Sequence, residues 1–498
     1  MTTKMLAILF LLATFAPGFA QAPGELGYED VPEIPDGIEG ERIQLMLDAV
    51  NQMDEELAKR FYDECFNEDV KERFPPEVYL DGFKSIVRET GGMVFNSVRV
   101  YDPPRDDQTV VVFRDMNYKS WQAFVFMYDE GQKPDGLLSG LRFSAARTPT
   151  NIEPEGPLTE VEAVTQILEF LDRLCEMDLF SGTVLVARGD EVLVGASCGE
   201  ASKRFHAPVN MDTKFNIGSM NKMFTSVAVM QLVEKGLVSV DDPLSEYLDE
   251  SWLAPEILES VTVHHLLSHT SGLGSFFTEE WDAQSRKLYR EVDDWKPIIV
   301  QDTLAFEPGT DWSYSNTGMY VLGAVIESAT GENYFDHIRE NVYAPAEMEN
   351  SDCYDMDCPV ENLAIGYWRS DDCAAGWKNN YYEHTIRGGP AGGGFSTAPD
   401  LFNFARALQT GKLVSQESLE QLWTVQFDRG GPDGYGYGFG IRNGAGGKIV
   451  GHGGGFTGIN ANLDMFLDSG YISVVMTNYD GAGSPVDSKI AELLSRVE

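Results

Sequence analysis

Ser219 and Lys222 form the only Ser-x-x-Lys of the chain, and they open the apolar run Met223, Phe224, Val227, Met230 and Leu232 that ends at Gly236. A hydroxyl is a weak nucleophile until a base takes its proton, and a lysine can act as that base once desolvation disfavours its ammonium form. The apolar spacing predicts a helix that begins at the serine. There the helix N–H groups and macrodipole favour developing negative charge, and Lys222 follows one turn later on the same side. Bringing an amine from about 10.4 to about 7.5 takes roughly 4 kcal/mol of environment. The chemistry this spacing suits is nucleophilic catalysis, with Ser219 as nucleophile and Lys222 as its base or electrostatic activator. The plainer reading, a capping serine followed by a surface lysine, sits poorly with so apolar a run.

Two further segments carry polar groups in unusual settings. Tyr314-Ser315-Asn316 is the only Tyr-x-Asn; it follows the turn Phe306-Glu307-Pro308-Gly309 and leads into a helix expected from near Thr317. His452-Gly453-Gly454-Gly455 begins just past a short strand expected over Lys448 to Gly451, where absent side chains would let a substrate lie along the backbone. Taken singly, the first reads as loop capping and the second as a flexible glycine turn. The one Gly-x-Ser-x-Gly, Gly195-Ala196-Ser197-Cys198-Gly199, falls at the end of an expected hairpin strand rather than at a strand-to-helix elbow, and no His-Glu-x-x-His occurs, so α/β-hydrolase and zincin readings lack their anchors.

In this order and in one stretch, the three segments resemble the serine β-lactamase and penicillin-binding-protein superfamily, especially its class C-like serine hydrolases. Val263-His264-His265-Leu266-Leu267-Ser268-His269-Thr270-Ser271-Gly272-Leu273 and Ala391-Gly392-Gly393-Gly394-Phe395-Ser396-Thr397-Ala398 are similar to scaffold segments of the same family. The resemblance runs from about Leu158 to the C-terminus. It implies that Tyr314 shuttles protons to the leaving group and that Asn316 holds a substrate carbonyl. It also implies that the oxyanion is met by the N–H groups of Ser219 and Gly455, donors worth roughly 3 to 4 kcal/mol each. His264, His265 and His269, which a motif search would take for a metal cluster, fall in a scaffold segment and are expected to be structural. The departure is His452-Gly453-Gly454 where many relatives have Lys-Thr-Gly, which weakens any inference to a carboxylate-bearing substrate. Arg442 and Lys448 lie close enough in sequence to offset that loss.

The implied activity is that of an exported serine hydrolase working through an acyl-enzyme on an ester or amide, without metal or other cofactor. A D,D-peptidase, penicillin-binding protein or β-lactamase is the alternative within enzymes. A catalytically silent ligand-binding member is the alternative outside them.

The elements that must position these residues follow from periodicity. Thr159-Glu160-Val161-Glu162 has capping-box form, and Val164, Ile167, Leu168, Leu171 and Leu174 continue one helical face. Thr183 to Ala187 and Val192 to Ala196 flank a turn as a hairpin, Ala461 to Leu467 and Tyr471 to Thr477 form another, and a terminal helix is expected from about Pro485. An antiparallel sheet built from both ends of residues 158–498, flanked by helices and joined to a helical lobe, is the economical α+β arrangement and the one the β-lactamase-like resemblance implies.

Before it, helical spacing from Ile43 to Val87 gives way to strand-like runs at Met93 to Tyr101, Thr109 to Arg114, Ser120 to Tyr128 and Leu137 to Phe143. Residues 41–147 thus read as a small α+β module, loosely similar to NTF2-like modules. A proline-bearing linker follows at 148–157, and residues 21–40, rich in Pro, Gly and acids, read as a flexible leader.

The 498 residues suit two to three domains. A mean hydropathy of −0.22 with 23% charged residues excludes a disordered chain and a multi-span membrane protein. Net charge is −42, a field that repels nucleic-acid phosphates and anionic lipid. Lys4, the apolar run Met5 to Phe15 and the small-residue stretch Ala16 to Ala20 come in secretory order, so residues 1–20 read as a signal peptide and the chain as periplasmic or secreted. Six cysteines in an exported chain of this size make local braces, and one disulfide is expected among Cys353, Cys358 and Cys373.

Overall fold

The computed structural model describes residues 27–153, 155–431, 433–444 and 446–498. The expected signal peptide lies outside them. The chain divides into two compact units, one reaching Gly156 and the other Pro157–Glu498.

In the first unit, helices Ile38–Gln52, Glu55–Cys65, Glu68–Arg73 and Pro76–Thr90 lie in sequence between the first strand and the other four of an antiparallel five-stranded sheet. The stretch read as a flexible leader is corrected here, because Gly27–Val31 is the first strand of that sheet, paired from Gly27 opposite Asp102 to Val31 opposite Val98. Buried Asp30 explains the order. Its carboxylate accepts two bonds from the Arg99 guanidinium and one from the Thr150 N–H, so its charge is spent inside the fold.

The second unit is built on a seven-stranded antiparallel sheet. Its order is Gly434–Tyr435, Gly440–Gly444, Gly447–Phe456, Ile459–Phe466, Tyr471–Thr477, Gly182–Arg188 and Glu191–Cys198. The two ends of the unit meet where Tyr471–Thr477 pairs with Gly182–Arg188, as the apolar hairpins require. Both strands are buried almost continuously, which needs cover on each face. Helices Glu160–Glu176, Ala398–Gln409 and Gly483–Leu494 pack on the sheet. In the helical lobe, Asn221–Glu234 is buried from Asn221 to Leu232 and packs against Asn316–Thr330. A helix buried on every side belongs at the centre of a domain.

The disulfide expectation fails. Cys175 and Cys198 are joined, from the last turn of the Glu160–Glu176 helix to the end of the sheet's edge strand, with Cα atoms 6.1 Å apart. Cys353, Cys358 and Cys373 are free. Cys353 is buried under the Ser219 turn, where the Asn221 side-chain amide lies 3.2 Å from its sulfur and burial pushes the thiol up to about 12. Cys358 is exposed. Closeness in sequence does not bring such thiols together. Among the described residues, no helix is long and apolar enough to cross a membrane.

Candidate active site

Ser219 sits in a tight turn, Gly218–Met220, and the α-helix proper starts two residues later at Asn221, rather than at the serine as expected. Backbone from the Ala391-Gly392-Gly393-Gly394 segment holds this turn. The Gly393 N–H donates to the Gly218 carbonyl and the Ile217 N–H to the Gly394 carbonyl. The approach is close enough that a Cβ on Gly392 would lie 2.9 Å from the Gly218 oxygen. Asn221 locks the same segment from below, its amide donating to the Gly389 carbonyl at 3.0 Å and accepting from the Gly394 N–H.

Lys222 is fully buried. Its Nζ donates to Asn316 Oδ1 at 2.9 Å and to the Ala391 carbonyl, and it lies 4.7 Å from the centre of the Tyr314 ring. With no carboxylate among these partners, burial alone pushes its pKa well below the ordinary lysine value. A neutral amine that spends two hydrogens on carbonyl oxygens keeps its lone pair as a place for a proton.

Tyr314 precedes a helix that starts at Asn316, with Ser315 as its cap accepting from the Gly318 N–H at 2.9 Å. Burial raises the Tyr314 phenol above its usual value, and the hydrogen-bonded Ser219 hydroxyl draws it partly back. Asn316 is shared between two partners, accepting from Lys222 and donating to Ser275 Oγ at 3.1 Å.

The glycine motif lies within a strand rather than past one. Gly447–Phe456 pairs with Ile459–Phe466 so that Gly453 faces Asn462, Gly454 faces Ala461 and Gly455 faces Asn460. Gly454 presses on the nucleophile turn: a Cβ there would sit 1.8 Å from the Ile217 carbonyl oxygen and 3.0 Å from the Ser219 nitrogen. The Gly455 nitrogen is 3.0 Å from where a Cβ on Gly218 would stand, which places it against the same turn. Gly453 turns away towards Asn462, and its carbonyl accepts from His452 Nδ1. His452 Nε2 accepts from the Tyr435 hydroxyl at 3.0 Å. Burial, and then the nearby Lys222, push this imidazole down to about 3, so it is neutral at physiological pH.

The structure therefore brings Ser219, Lys222, Tyr314, Asn316, His452, Gly454 and Gly455 to one place and points Gly453 elsewhere. The scaffold histidines do not converge. His264 pairs with the Tyr437 hydroxyl at 2.7 Å, and His265 caps its own helix through the Thr262 N–H. His269 accepts from the Ser315 N–H at 3.2 Å. Among the described residues, no group of His, Cys, Asp and Glu is placed to hold a metal ion.

Sequence reasoning missed how near His269 comes to the chemistry. Its ring is fully buried, 4.5 Å from the Tyr314 ring and 4.7 Å from the Tyr435 ring, and burial drives its pKa well below the usual value. Tyr435 and the Arg429 guanidinium, which lies 3.9 Å from the Trp312 ring, were missed as well. They belong to a segment whose only signal was aromatic and glycine content. The two cations expected to reach the cleft are committed to the scaffold: Arg442 pairs with Asp464, and Lys448 Nζ donates to the Trp423 carbonyl at 2.6 Å.

Comparison with known proteins agrees with this architecture. The Beta-lactamase family model matches residues 172–496. Penicillin-binding protein 4* of Bacillus subtilis is 30% identical over 323 residues, which are 62% of this chain and 70% of that protein. Esterase EstB of Burkholderia gladioli is 31% identical over 211 residues, covering 40% of this chain and 53% of the esterase. The crystal structure of a penicillin binding protein from Bacillus halodurans superposes with a TM-score of 0.60 at 32% identity, over 66% of this chain and 98% of that one. With its model spanning well over half of these residues, the chain belongs to the Beta-lactamase family of serine hydrolases.

Proposed function

We propose that this is an exported hydrolase that cleaves an ester or amide through an acyl-enzyme on Ser219. The observation that carries the reading is the opposite displacement of two adjacent groups. Burial drives the Lys222 amine towards its neutral form and holds the Tyr314 phenol protonated. The basic lone pair is then the lysine's, and the phenol is left as a relay hydrogen-bonded to the nucleophile.

In the reaction, Ser219 Oγ bonds to the substrate carbonyl carbon while its proton passes to Lys222. The oxyanion takes hydrogen bonds from the Ser219 and Gly455 N–H groups. Asn316 orients a substrate carbonyl. As the tetrahedral species collapses, the bond to the leaving group breaks and the proton on Lys222 is passed to it through the Tyr314 hydroxyl, which leaves both the phenol and the amine neutral. Water then attacks the acyl carbon, giving a proton to Lys222; the bond from that carbon to Ser219 Oγ breaks, the proton returns from Lys222 to Ser219 Oγ, and the acid is released.

Export is supported by the secretory order of residues 1–20 and by the Cys175–Cys198 bond, since such bonds persist in oxidising compartments. Neutral or amine-bearing substrates are favoured over carboxylate-bearing ones because His452 is uncharged, and Arg442 and Lys448 are engaged elsewhere.

A second reading, a D,D-peptidase or β-lactamase, draws on Arg429, whose guanidinium beside Trp312 would suit a substrate carboxylate. Steady-state comparison of a short p-nitrophenyl ester, nitrocefin and a D-Ala-D-Ala peptide separates the two. A higher kcat/KM for the ester supports the first reading, and a higher value for either anionic substrate selects the second.

A further inference from the structure

The strand that carries the glycine motif gives the cleft two chemically different ends. Alternate residues of a strand share a face, so His452, Gly454 and Phe456 look the same way. Gly454 identifies that direction as the nucleophile turn, because a Cβ on it would strike Ile217 and approach Ser219. At the His452 end stand the Tyr435 hydroxyl, 3.0 Å from the imidazole, and the Tyr314 ring, 6.3 Å away. These are hydroxyl-bearing groups suited to moving protons.

The other end is aromatic. The Phe456 ring stacks on Phe277 with centroids 5.7 Å apart and planes 15° from parallel. Phe277 reaches this position from the opposite wall. Its neighbour Phe276 turns into the core, 4.3 Å from the Trp295 ring, and buried Trp281 meets the Phe277 ring edge-on at 4.9 Å. Two residues earlier, Ser275 Oγ accepts from Asn316, which ties this loop to the Lys222 network. Held in this way, Phe277 still leaves 48% of its surface in solvent, a large apolar ring open beside the site.

We infer that Phe277 and Phe456 form a platform for the acyl group of the substrate, which is therefore an ester or amide of an aromatic or bulky apolar acid. The inference rests on the proposed acylation of Ser219 and adds its substrate class. The acyl side is assigned to this end because the leaving group must depart beside the phenol that protonates it, and Tyr314 lies at the opposite end. Covering the exposed Phe277 ring and the half-buried Phe456 with an apolar group removes their remaining surface from water, and pocket contacts of this kind separate substrates by about 10- to 200-fold.

The test compares p-nitrophenyl phenylacetate with p-nitrophenyl acetate on the full chain, so that only the acyl group varies. The native protein should favour the phenylacetyl ester in kcat/KM by about tenfold or more. Phe277→Ala should bring that ratio close to one, with the larger loss falling on the phenylacetyl ester. Phe456→Leu should lower the ratio in the same direction. A native ratio below about threefold, or one that Phe277→Ala leaves unchanged, overturns the platform. Ser219→Ala separates this failure from failure of the mechanism. Loss of both activities in that variant leaves the proposed nucleophile standing whatever the ratio does, and persistence of both removes it.

Discussion

Lys222 Nζ and Asn316 Oδ1 lie 2.9 Å apart, joining the helix that follows the nucleophile to the helix that follows Tyr314. Two sequence motifs separated by more than ninety residues thereby become one polar network around a fully buried amine. Lys222→Ala removes its basic member and should lower kcat by about 10²- to 10⁴-fold, the usual share of a positioned proton acceptor. Steady-state kinetics on folded variant checks this, and near-native turnover would make the lysine merely structural.

The pH profile follows from the same burial. A base whose pKa is lowered by desolvation is protonated, and inactive, only below that lowered value, so kcat should rise from mildly acid to mildly alkaline pH. His452, held near 3, stays neutral throughout that range and contributes no limb. His452→Gln should therefore leave the midpoint of the rise in place even if it lowers the plateau. A midpoint displaced by a full unit would mean that the imidazole titrates with the rate.

Gly454 and Gly455 differ in the room around them. A Cβ on Gly454 collides with the Ile217 carbonyl at 1.8 Å, whereas on Gly455 its closest neighbours are 3.9 Å away. Gly454→Ala should push the strand off the nucleophile turn and cost at least about 100-fold in kcat/KM, the loss seen when one oxyanion donor is removed. Gly455→Ala keeps the N–H and should retain most of the activity. Kinetics of the two variants side by side provides the check, and equal losses would contradict this account of the strand.

His269 supports the Tyr314 loop without touching a reacting atom. Its Nδ1 accepts the buried Ser315 N–H, and its ring lies 4.5 Å from the Tyr314 ring. His269→Ala leaves that N–H unpaired, which should cost about 1 to 3 kcal/mol of stability. Because the phenol loses its backing, kcat should fall with little change in KM. Denaturant titration and kinetics on one preparation test both effects.

Much of the site could be read from the sequence because each of its motifs is short and tied to one local structure. A serine and a lysine three apart at the start of a mostly apolar run, and a Tyr-Ser-Asn cap before another helix, announce both their residues and their elements. What stayed hidden depends on contacts across the fold. The glycines of 453–455 look like a turn until their ladder with Ile459–Phe466 is known. Gly27–Val31 looks like a leader because its order comes from Arg99 and Thr150, far along the chain. The cysteines are densest in sequence at 353–373, yet the disulfide joins a helix end to a strand end that only packing brings together.

That bond gives a separate expectation. Closing a loop of this size should contribute about 3 kcal/mol, so Cys175→Ser with Cys198→Ser should lower the unfolding free energy by that order. Non-reducing peptide mapping should find Cys175 linked to Cys198 and the other four thiols free, and a bridge among Cys353, Cys358 and Cys373 would contradict it.

The central claim, that Ser219 carries the acyl group, is tested most directly by mapping where a fluorophosphonate attaches. The full chain should be labelled once, on the peptide that contains Ser219, and Ser219→Ala should abolish the label while leaving the folded state intact. A label on Ser268, Ser271, Ser275 or Ser396, or undiminished labelling of Ser219→Ala, would contradict the account.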